Sequence, residues 1–464
     1  MTGDAPASGV RDLLRLAWPA VFSYLLNNSY RINDQFWIQG LGEEAQAGIA
    51  GVIFVTILNF AAIFLAVGGT LALVARATGA GDVARRDAAI RHALLVALAI
   101  AVAFATLGRL LTPPMVALLG LEGATAAYAE AFLGNLYLFG AGLVFAPVIE
   151  HALIGMGNTL LPALLQVLSV ALNYFLNPIL IYGSEAALRT GHPGAAAADR
   201  VADLFGIEGQ GMAGAALATA ISRAITVVLG LIALRQLFGV RILPRAASRP
   251  DLAMLGKIVD IGAPVALSIV AYAAVYFALI RLVMVPLGEA ALAGLGIGFA
   301  VFEGVSFPCF LGLAMAAASL VGRSLGAGDT EQALRAVRVA RRMATAWGLI
   351  VFALFFSLAG LVAPSFSQDP GVVREIVSYV RVIAFSQLFV AHEAVNEKIL
   401  LGAGYTRAPM WVSMSGNLAR IPLAWLFALG FGLGTAGVWW AINATTVYKA
   451  LLQRRLVQRG RWLH

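Results

Sequence analysis

Apolar residues run in blocks of about 20 or more along the whole chain, separated by short polar stretches. Twelve blocks can be marked, at 16–39, 48–74, 90–110, 130–154, 160–183, 213–238, 259–286, 293–321, 344–364, 376–401, 408–430 and 435–456. A helix needs about 20 such residues to cross the hydrocarbon layer of a bilayer. The pattern therefore predicts an all-α polytopic membrane protein with about twelve transmembrane helices. The longest break, 184–210, is rich in small residues and mixed in charge, and is expected outside the membrane as a loop.

Composition agrees with the pattern. Of 464 residues, 60% are hydrophobic and 12% charged, where a soluble chain carries about a quarter charged. Mean hydropathy is +0.86. The 49 glycines suit helices that approach closely in lipid. The single Cys309 excludes an intrachain disulfide and a thiolate metal cluster, and reads as a small apolar filler.

The net charge of +8 does not point to nucleic acid, because its sources fall in short connections between blocks. Arg11 and Arg15 precede the first block. Basic loops follow the second (ARATGAGDVARRDAAIRH) and the eighth (GRSLGAGDTEQALRAVRVARR). Arg235, Arg241, Arg245, Arg249 and Lys257 follow the sixth, and Lys449, Arg454, Arg455, Arg459 and Arg461 are read as the tail. If the spans alternate, all of these lie on one side, and the loops opposite, such as GLGEEAQAG and PLGEAALAG, lack Lys and Arg. Both termini are expected in the cytoplasm of a bacterial cell, with the chain in its inner membrane. The first block is too long, and too broken by NNSYRIND, to read as a cleaved signal.

The chain also repeats itself. LGEEAQAGIAG (41–51) matches LGEAALAGLGI (287–297). ATGAGDVARR (77–86) matches SLGAGDTEQA (324–333). EHALIGMGNTLLP (150–162) matches EKILLGAGYTRAP (397–409). The order is kept at an offset of about 246 residues, so 1–245 and 246–464 read as two homologous six-helix lobes. An even number of spans per half makes this a parallel repeat, with its pseudo-twofold along the membrane normal.

Polar residues inside the blocks are the candidate chemistry, since they are costly at bilayer depth. On a helical projection Asn27, Arg31 and Asp34 share a stripe, with Tyr30 at its edge. Arg31 and Asp34 are close enough in sequence to pair, either as a permanent lock or in one state of a cycle. In the fifth block Asn173 and Asn177 share a face. Glu150 and Glu397 occupy matching places in the two halves, as a gate or as helix-end supports. In HEAVNEK, His392, Glu393, Asn396, Glu397 and Lys398 cluster. Glu303 lies inside the eighth block, with Arg281 or Arg223 as its expected partner if its role is structural, and Asn417 and Arg420 as further partners.

These pieces together resemble the multidrug and toxic compound extrusion family, MATE. The resemblance rests on LAWPAVFSYLLNNSYRINDQFWIQGLGEEAQAG, on TLALVARATGAGD with its repeat AAASLVGRSLGAGD, and on ALIGMGNT with its repeat LLGAGYT. It covers nearly the whole chain. It implies two six-helix lobes in a V, and export of organic, often cationic, compounds against inward flow of protons or sodium by alternating access. Asp34 aligns with the first-helix aspartate that the family uses for the coupling ion, so the resemblance implies coupling at Asp34, Asn173 and Asn177, with Na+ possible at Asp34. Asn177 stands where many proton-coupled members have an aspartate, which departs from their relay. The vibrio-type sodium branch has an aspartate close to His392 and a glutamate close to Ala273; the latter is missing here. Asn27, Tyr30, Arg31, Glu303, His392, Glu393 and Asn396 become candidates for the substrate cavity.

No enzyme constellation stands out: no GxxxxGK[ST] loop for ATP and no Cys/His metal spacing. The expectation is a monomeric transporter without cofactor or resident metal, whose partners are a small organic cation and the bilayer, not nucleic acid. A flippase for a lipid-linked oligosaccharide is the alternative, and needs Arg31, Arg223 and Arg281 exposed in a cationic cavity. A membrane-embedded transferase built around Glu150 and His151 is a third.

Overall fold

The computed structural model describes residues 9–192, 194–242 and 250–463; the side chains of Arg31, Ile53 and Phe54 lie outside the description. Arg245, Arg249 and the lobe boundary placed at 245/246 also lie outside the described residues. Among those described the chain forms twelve helical rods. They are α1 (Gly9–Ile38), α2 (Ile53–Gly79), α3 (Val83–Leu118), α4 (Gly123–Phe139 with Ala141–Gly155), α5 (Leu160–Tyr182), α6 (Met212–Gln236), α7 (Leu252–Leu287), α8 (Glu289–Gly326), α9 (Thr330–Val362), α10 (Pro370–Gly402), α11 (Arg407–Trp425) and α12 (Gly434–Gln458). Each predicted block falls on one rod, with edges shifted by several residues. A short helix, Glu43–Gly51, leads into α2. Rods α1 to α6 form one lobe and α7 to α12 the other.

Seven rods, α2, α3 and α5 to α9, are each long and apolar enough to cross a membrane, and α4, bent by 56° after Phe139, joins them as an eighth. The four that fall short, α1, α10, α11 and α12, carry many of the buried polar side chains: Asn33 and Asp34, Gln387 and Asn396, Asn417 and Arg420, Asn443 and Lys449. Their polarity is turned into the protein rather than toward lipid. In contrast α3 and α9, equivalent rods of the two lobes, leave Leu95, Leu98 and Val102, and Leu349, Ile350 and Leu354, exposed, as a lipid-facing surface requires.

Two expectations change. The break at 184–210 is not a plain loop: it folds into helices Ala186–Thr190 and Ala195–Phe205. Asp199 accepts from the backbone N–H of Ala186 at 2.7 Å, and Ala195, Ala198 and Ala202 are buried in the N-lobe core. Small residues at that spacing let the second helix sit close to the lobe. Lys449 is not in the tail either. It lies inside α12, 5% exposed, because a carboxylate on α10 receives it.

The apolar cores show how the lobes meet. At the end of the molecule where α1 begins and α12 ends, the terminal-bearing end, the cores are shared. Leu13, Leu16 and Ala17 of α1 are buried with residues of α8, α9, α10 and the C-terminal Trp462. Met254 and Ile258 of α7 are buried among α2, α3, α4 and α6. Leu71 and Ile154 meet Met315, Ala318 and Leu401 between them. At the opposite end one core draws only on residues between Trp37 and Ala216, and another only on residues between Leu279 and Ile442. The two lobes are therefore joined at the terminal-bearing end and have separate cores at the other.

The repeated GAGD element explains the join. Gly81 and Gly328 hold φ of +67° and +75°, a turn that side chains resist. Asp82 and Asp329 then cap the next rods, accepting from Arg85 N–H at 2.9 Å and Gln332 N–H at 2.7 Å. Gly79 and Gly326 make the seam itself. A methyl group at Gly79 would lie 1.9 Å from the Arg323 carbonyl oxygen, and one at Gly326 would lie 2.0 Å from that of Arg76. Each repeat's glycine thus receives the other repeat's arginine backbone. Ser319 of α8 adds a hydrogen bond to the Ile154 carbonyl of α4 at 2.5 Å.

A valine at Gly79 or Gly326 is expected to prevent this closure while leaving each lobe folded. Spin labels at the exposed positions 85 and 335, in a background lacking Cys309, should report a longer distance across the seam in both variants. An unchanged distance would mean that these glycines do not hold the ends together.

Candidate functional site

Three rods of the N-lobe present polar stripes to one another. On α1 they are Tyr24, Asn27, Tyr30, Asn33 and Asp34. On α5 they are Gln166, Ser169, Asn173 and Asn177, and on α6 Thr219, Ser222, Arg223 and Thr226. Spacings of three and four residues put each set on one helix face. Nearly all are buried, Asp34 to 7% exposure.

The stripes zip together rung by rung. Asn177 donates to Asp34 Oδ1 at 2.9 Å. Asn33 donates to Asn173 Oδ1 at 2.6 Å, and Asn173 donates to Thr219 Oγ1 at 3.1 Å. The Tyr30 hydroxyl bonds Ser169 and, at 3.3 Å, Ser222. Arg223 donates to Asn27 Oδ1 at 2.8 Å and to Gln166 Oε1 at 2.9 Å. It also lies 3.6 Å from Glu150 Oε1, with its guanidinium carbon 4.4 Å from the centre of the Tyr30 ring. Below this, His151 Nδ1 lies 2.7 Å from the Pro147 carbonyl and so donates to it; the ring's other nitrogen faces the Tyr24 hydroxyl at 3.5 Å.

Four atoms of these stripes break the pairing: Gln166 Nε2, Arg223 Nε and two amide oxygens. Asn33 Oδ1 and Asn177 Oδ1 are buried without a hydrogen-bond partner. A buried polar atom left unpaired costs roughly 1–3 kcal/mol. Asn33 adjoins Asp34 in the chain and Asn177 donates to its carboxylate, and oxygen groups of this kind suit a proton or an alkali cation and not a soft metal.

The C-lobe has the same fold and different chemistry. With the LGE elements in register at 41 and 287, an offset of 246, the place of Asp34 falls at Ile280. With Pro162 and Pro409 in register, an offset of 247, the place of Asn173 falls at Arg420. Arg420 is buried, donates from Nε to Thr445 at 3.1 Å and lies 5.3 Å over the Tyr276 ring. Tyr272 and Tyr276 pack at 4.6 Å between ring centres. Lys449 pairs with Glu393 at 2.8 Å, and Lys398 with its neighbour Glu397 at 2.6 Å. The C-lobe does hold a carboxylate without a salt-bridge partner among the described residues, Glu303, but at the position matching Asp34 it has none.

Most of the sequence candidates come together, but several have other partners than expected. Asn27, Tyr30, Asp34, Asn173 and Asn177 lie in the N-lobe zip. Arg31 lies outside the described side chains, so its pairing with Asp34 does too. Glu303 ends a stretch of π-helix, Gly298–Glu303, and accepts from the Tyr379 hydroxyl rather than pairing with Arg281 or Arg223. Arg281 is exposed, and Arg223 is committed within the N-lobe. His392 bonds Thr345 of α9 at 2.9 Å, so it faces away from Glu393's partner. Asn396 is buried with both amide atoms unpaired. Glu150 and Glu397, though matched in the repeat, sit differently: Glu150 meets Arg223 of α6, while Glu397 meets its chain neighbour Lys398 with Gln453 and Lys449 of α12 beside it. Asn33, Gln166, Ser169, Thr219 and Ser222 were missed as site residues, although the three- and four-residue polar spacing on α5 and α6 was visible in the sequence.

The comparisons with known proteins follow the same outline. The family model MatE matches residues 19–179 and 264–426, one block in each lobe. A probable multidrug resistance protein NorM of Thermotoga maritima is 26% identical over 463 residues, covering 97% of this chain and 93% of that one. An FAD transporter of Shewanella oneidensis is 25% identical over 376 residues, covering 80% and 78%. A solved outward-facing multidrug resistance MATE family transporter superposes with a TM-score of 0.84 at 23% identity, over 98% of this chain and 96% of that one. This chain belongs to the MatE family and is a multi-pass membrane transporter of two six-helix lobes.

Proposed function

We propose that this protein is a secondary active antiporter that exports small organic compounds, cations among them, against inward flow of protons or sodium. Asp34 is the coupling site. One observation carries this reading: Asp34 is a buried carboxylate whose hydrogen-bond partner is the neutral Asn177, beside two amide oxygens without partners. An ionised carboxylate in that setting is unstable until a cation or a proton arrives. The names of its relatives, multidrug resistance proteins among them, support organic substrates.

The terminal-bearing end is the cytoplasmic one, as the Arg-rich connections argue. The joined seam then closes the cytoplasmic side, and the structure corresponds to an outward-facing state. The ion reaches Asp34 from the open side and draws in Asn33 and Asn177. Because Asn33 also holds Asn173, this alters the zip between α1 and α5 and so the shape of the cavity. Ion binding drives export only if it favours a state with weak substrate affinity. Pro19, inside α1, removes one backbone hydrogen bond and gives the rod a place to bend. The tyrosines and glutamates of the C-lobe supply an aromatic, mixed-charge wall for the substrate, with Glu303, Tyr272 and Tyr276 foremost.

In proteoliposomes, Asp34→Asn is expected to remove gradient-driven export of a cationic dye, with a loss of at least tenfold. Equal export by the variant and the unaltered protein would end the coupling role. Asn177→Ala deletes the amide that bonds the carboxylate, a charged hydrogen bond worth about 1.5–3 kcal/mol. The empty, ionised site loses its donor and is destabilised, so under a pH gradient the proton concentration for half-maximal export should fall roughly tenfold or more, with the dye KM changed little. Running the assay once with a pH gradient and once with a sodium gradient identifies the ion.

A further inference from the structure

The joined end of the molecule contains a cavity that coupling at Asp34 does not use. Its volume is about 210 Å³, and both lobes line it. Leu73 and Arg76 of α2 form one wall; Ile261 of α7, Gly404 and Tyr405 after α10, and Trp462 form the other. Among the described lining residues Arg76 alone is charged. Its Nε is buried without a partner, and among the described residues its guanidinium has no ion pair; the nearby charge is Arg85, of like sign. Asp260, next to Ile261 in the chain, is engaged by Arg407 at 2.5 Å.

The repeat supplies a comparison. Arg76 matches Arg323 and Gly157 matches Gly404, both at an offset of 247. Arg323 fills its own version of this space: a methyl group at Gly157 would lie 2.4 Å from Arg323 Nη1. A methyl group at Gly404 would meet only Ile261, at 3.7 Å, so the matching place is open. The counter-charges differ too. Arg323 has Asp12 of α1 within electrostatic reach. With Pro19 and Pro264 in register, an offset of 245, the place of Asp12 falls at Lys257. Both arginines leave Nε buried and unpaired, so packing and counter-charge are what set Arg76 apart.

We propose that this cavity binds a phosphate-bearing anion on Arg76 and that its occupant keeps the two lobes joined. A guanidinium fork matches phosphate oxygens in pairs. Leu73, Tyr405 and Trp462 offer apolar and aromatic surface to the organic part of such a ligand. Basic pockets between spans on the cytoplasmic side suit phospholipid headgroups, and free phosphate offers the same oxygens. The link to conformation lies in Arg76 itself. Its carbonyl packs where a methyl group at Gly326 would lie 2.0 Å away, so its backbone is part of the seam and its side chain part of the cavity. A ligand that touches both walls favours the joined state over any state that parts them. The site does not depend on coupling at Asp34.

The test follows thermal unfolding of the full-length protein in neutral detergent. Potassium phosphate is compared with potassium chloride at equal ionic strength, and soluble dihexanoyl phosphatidylglycerol with dihexanoyl phosphatidylcholine. Phosphate, phosphatidylglycerol or both should raise the Tm in a saturable way, and the one that does so identifies the source. Arg76→Gln should raise the half-saturating concentration roughly tenfold or more, the loss of a charged hydrogen bond. Arg323→Gln, which removes the arginine that has Asp12, should change it less than about threefold. No rise with either ligand, or a rise that Arg76→Gln leaves unaltered, overturns the site. If Arg76→Gln does not yield folded protein, Arg76→Lys keeps the charge without the fork and should weaken binding about threefold or more; equal affinity overturns it. Dye export from proteoliposomes tests the lock. The ligand that binds, at saturation, should slow turnover about threefold in the unaltered protein and not in Arg76→Gln; equal turnover with and without it overturns the lock. Asp34→Asn should lose gradient-driven export and keep the rise in Tm.

Discussion

A polar group inside a bilayer has no water to fall back on, and that constraint shapes this protein throughout. Its backbone answers with helices, whose hydrogen bonds close within each rod. Its polar side chains answer by turning inward and meeting across rods. Within the N-lobe α1 is joined to α5 and α6 by amides, hydroxyls and one guanidinium in succession. The pairing is incomplete at Asn33 Oδ1 and Asn177 Oδ1, on the neighbours of Asp34 in the chain and across the zip.

The same constraint separates the two lobes, which share an ancestral pattern but not a chemistry. Asn173 in one lobe stands where Arg420 stands in the other, and Asp34 where Ile280 stands. Symmetry was kept where backbone meets backbone, at Gly79 and Gly326, because the seam needs two identical close approaches across the pseudo-twofold. Inside the lobes nothing enforces it, and the side chains have diverged. In the N-lobe Asp34 lies among neutral amides; in the C-lobe Glu393 and Glu397 meet lysines and Glu303 meets a tyrosine. A carboxylate among amides can gain and lose a cation. One already paired with lysine has its counter-charge built in.

Much of this was legible in the chain. Block length alone placed all twelve rods, since only a helix satisfies its own backbone in lipid. The repeat placed the pseudo-twofold, and GAGD in both halves pointed to a shared turn. Asp34, Asn173 and Asn177 were found because charged and amide residues are conspicuous in apolar runs. Partners were harder. Glu303 drew a search for an arginine, but a tyrosine, Tyr379, bonds it; a hydroxyl inside an apolar run raises no alarm. Lys449 looked like tail charge because it sits near a run of arginines, and only Glu393 on another rod reveals it as buried.

The sequence by itself determined that the chain crosses a membrane about twelve times in two related halves, and that an aspartate and two asparagines lie at bilayer depth. Those properties depend on length, periodicity and composition, which are local. Only the tertiary structure decided that Arg223 belongs to Glu150, that two amide oxygens near Asp34 are unpaired, and which end of the molecule is joined. These depend on distances between residues far apart in the sequence. Helical periodicity says which face a side chain occupies; the packing of one rod on another decides what that face meets.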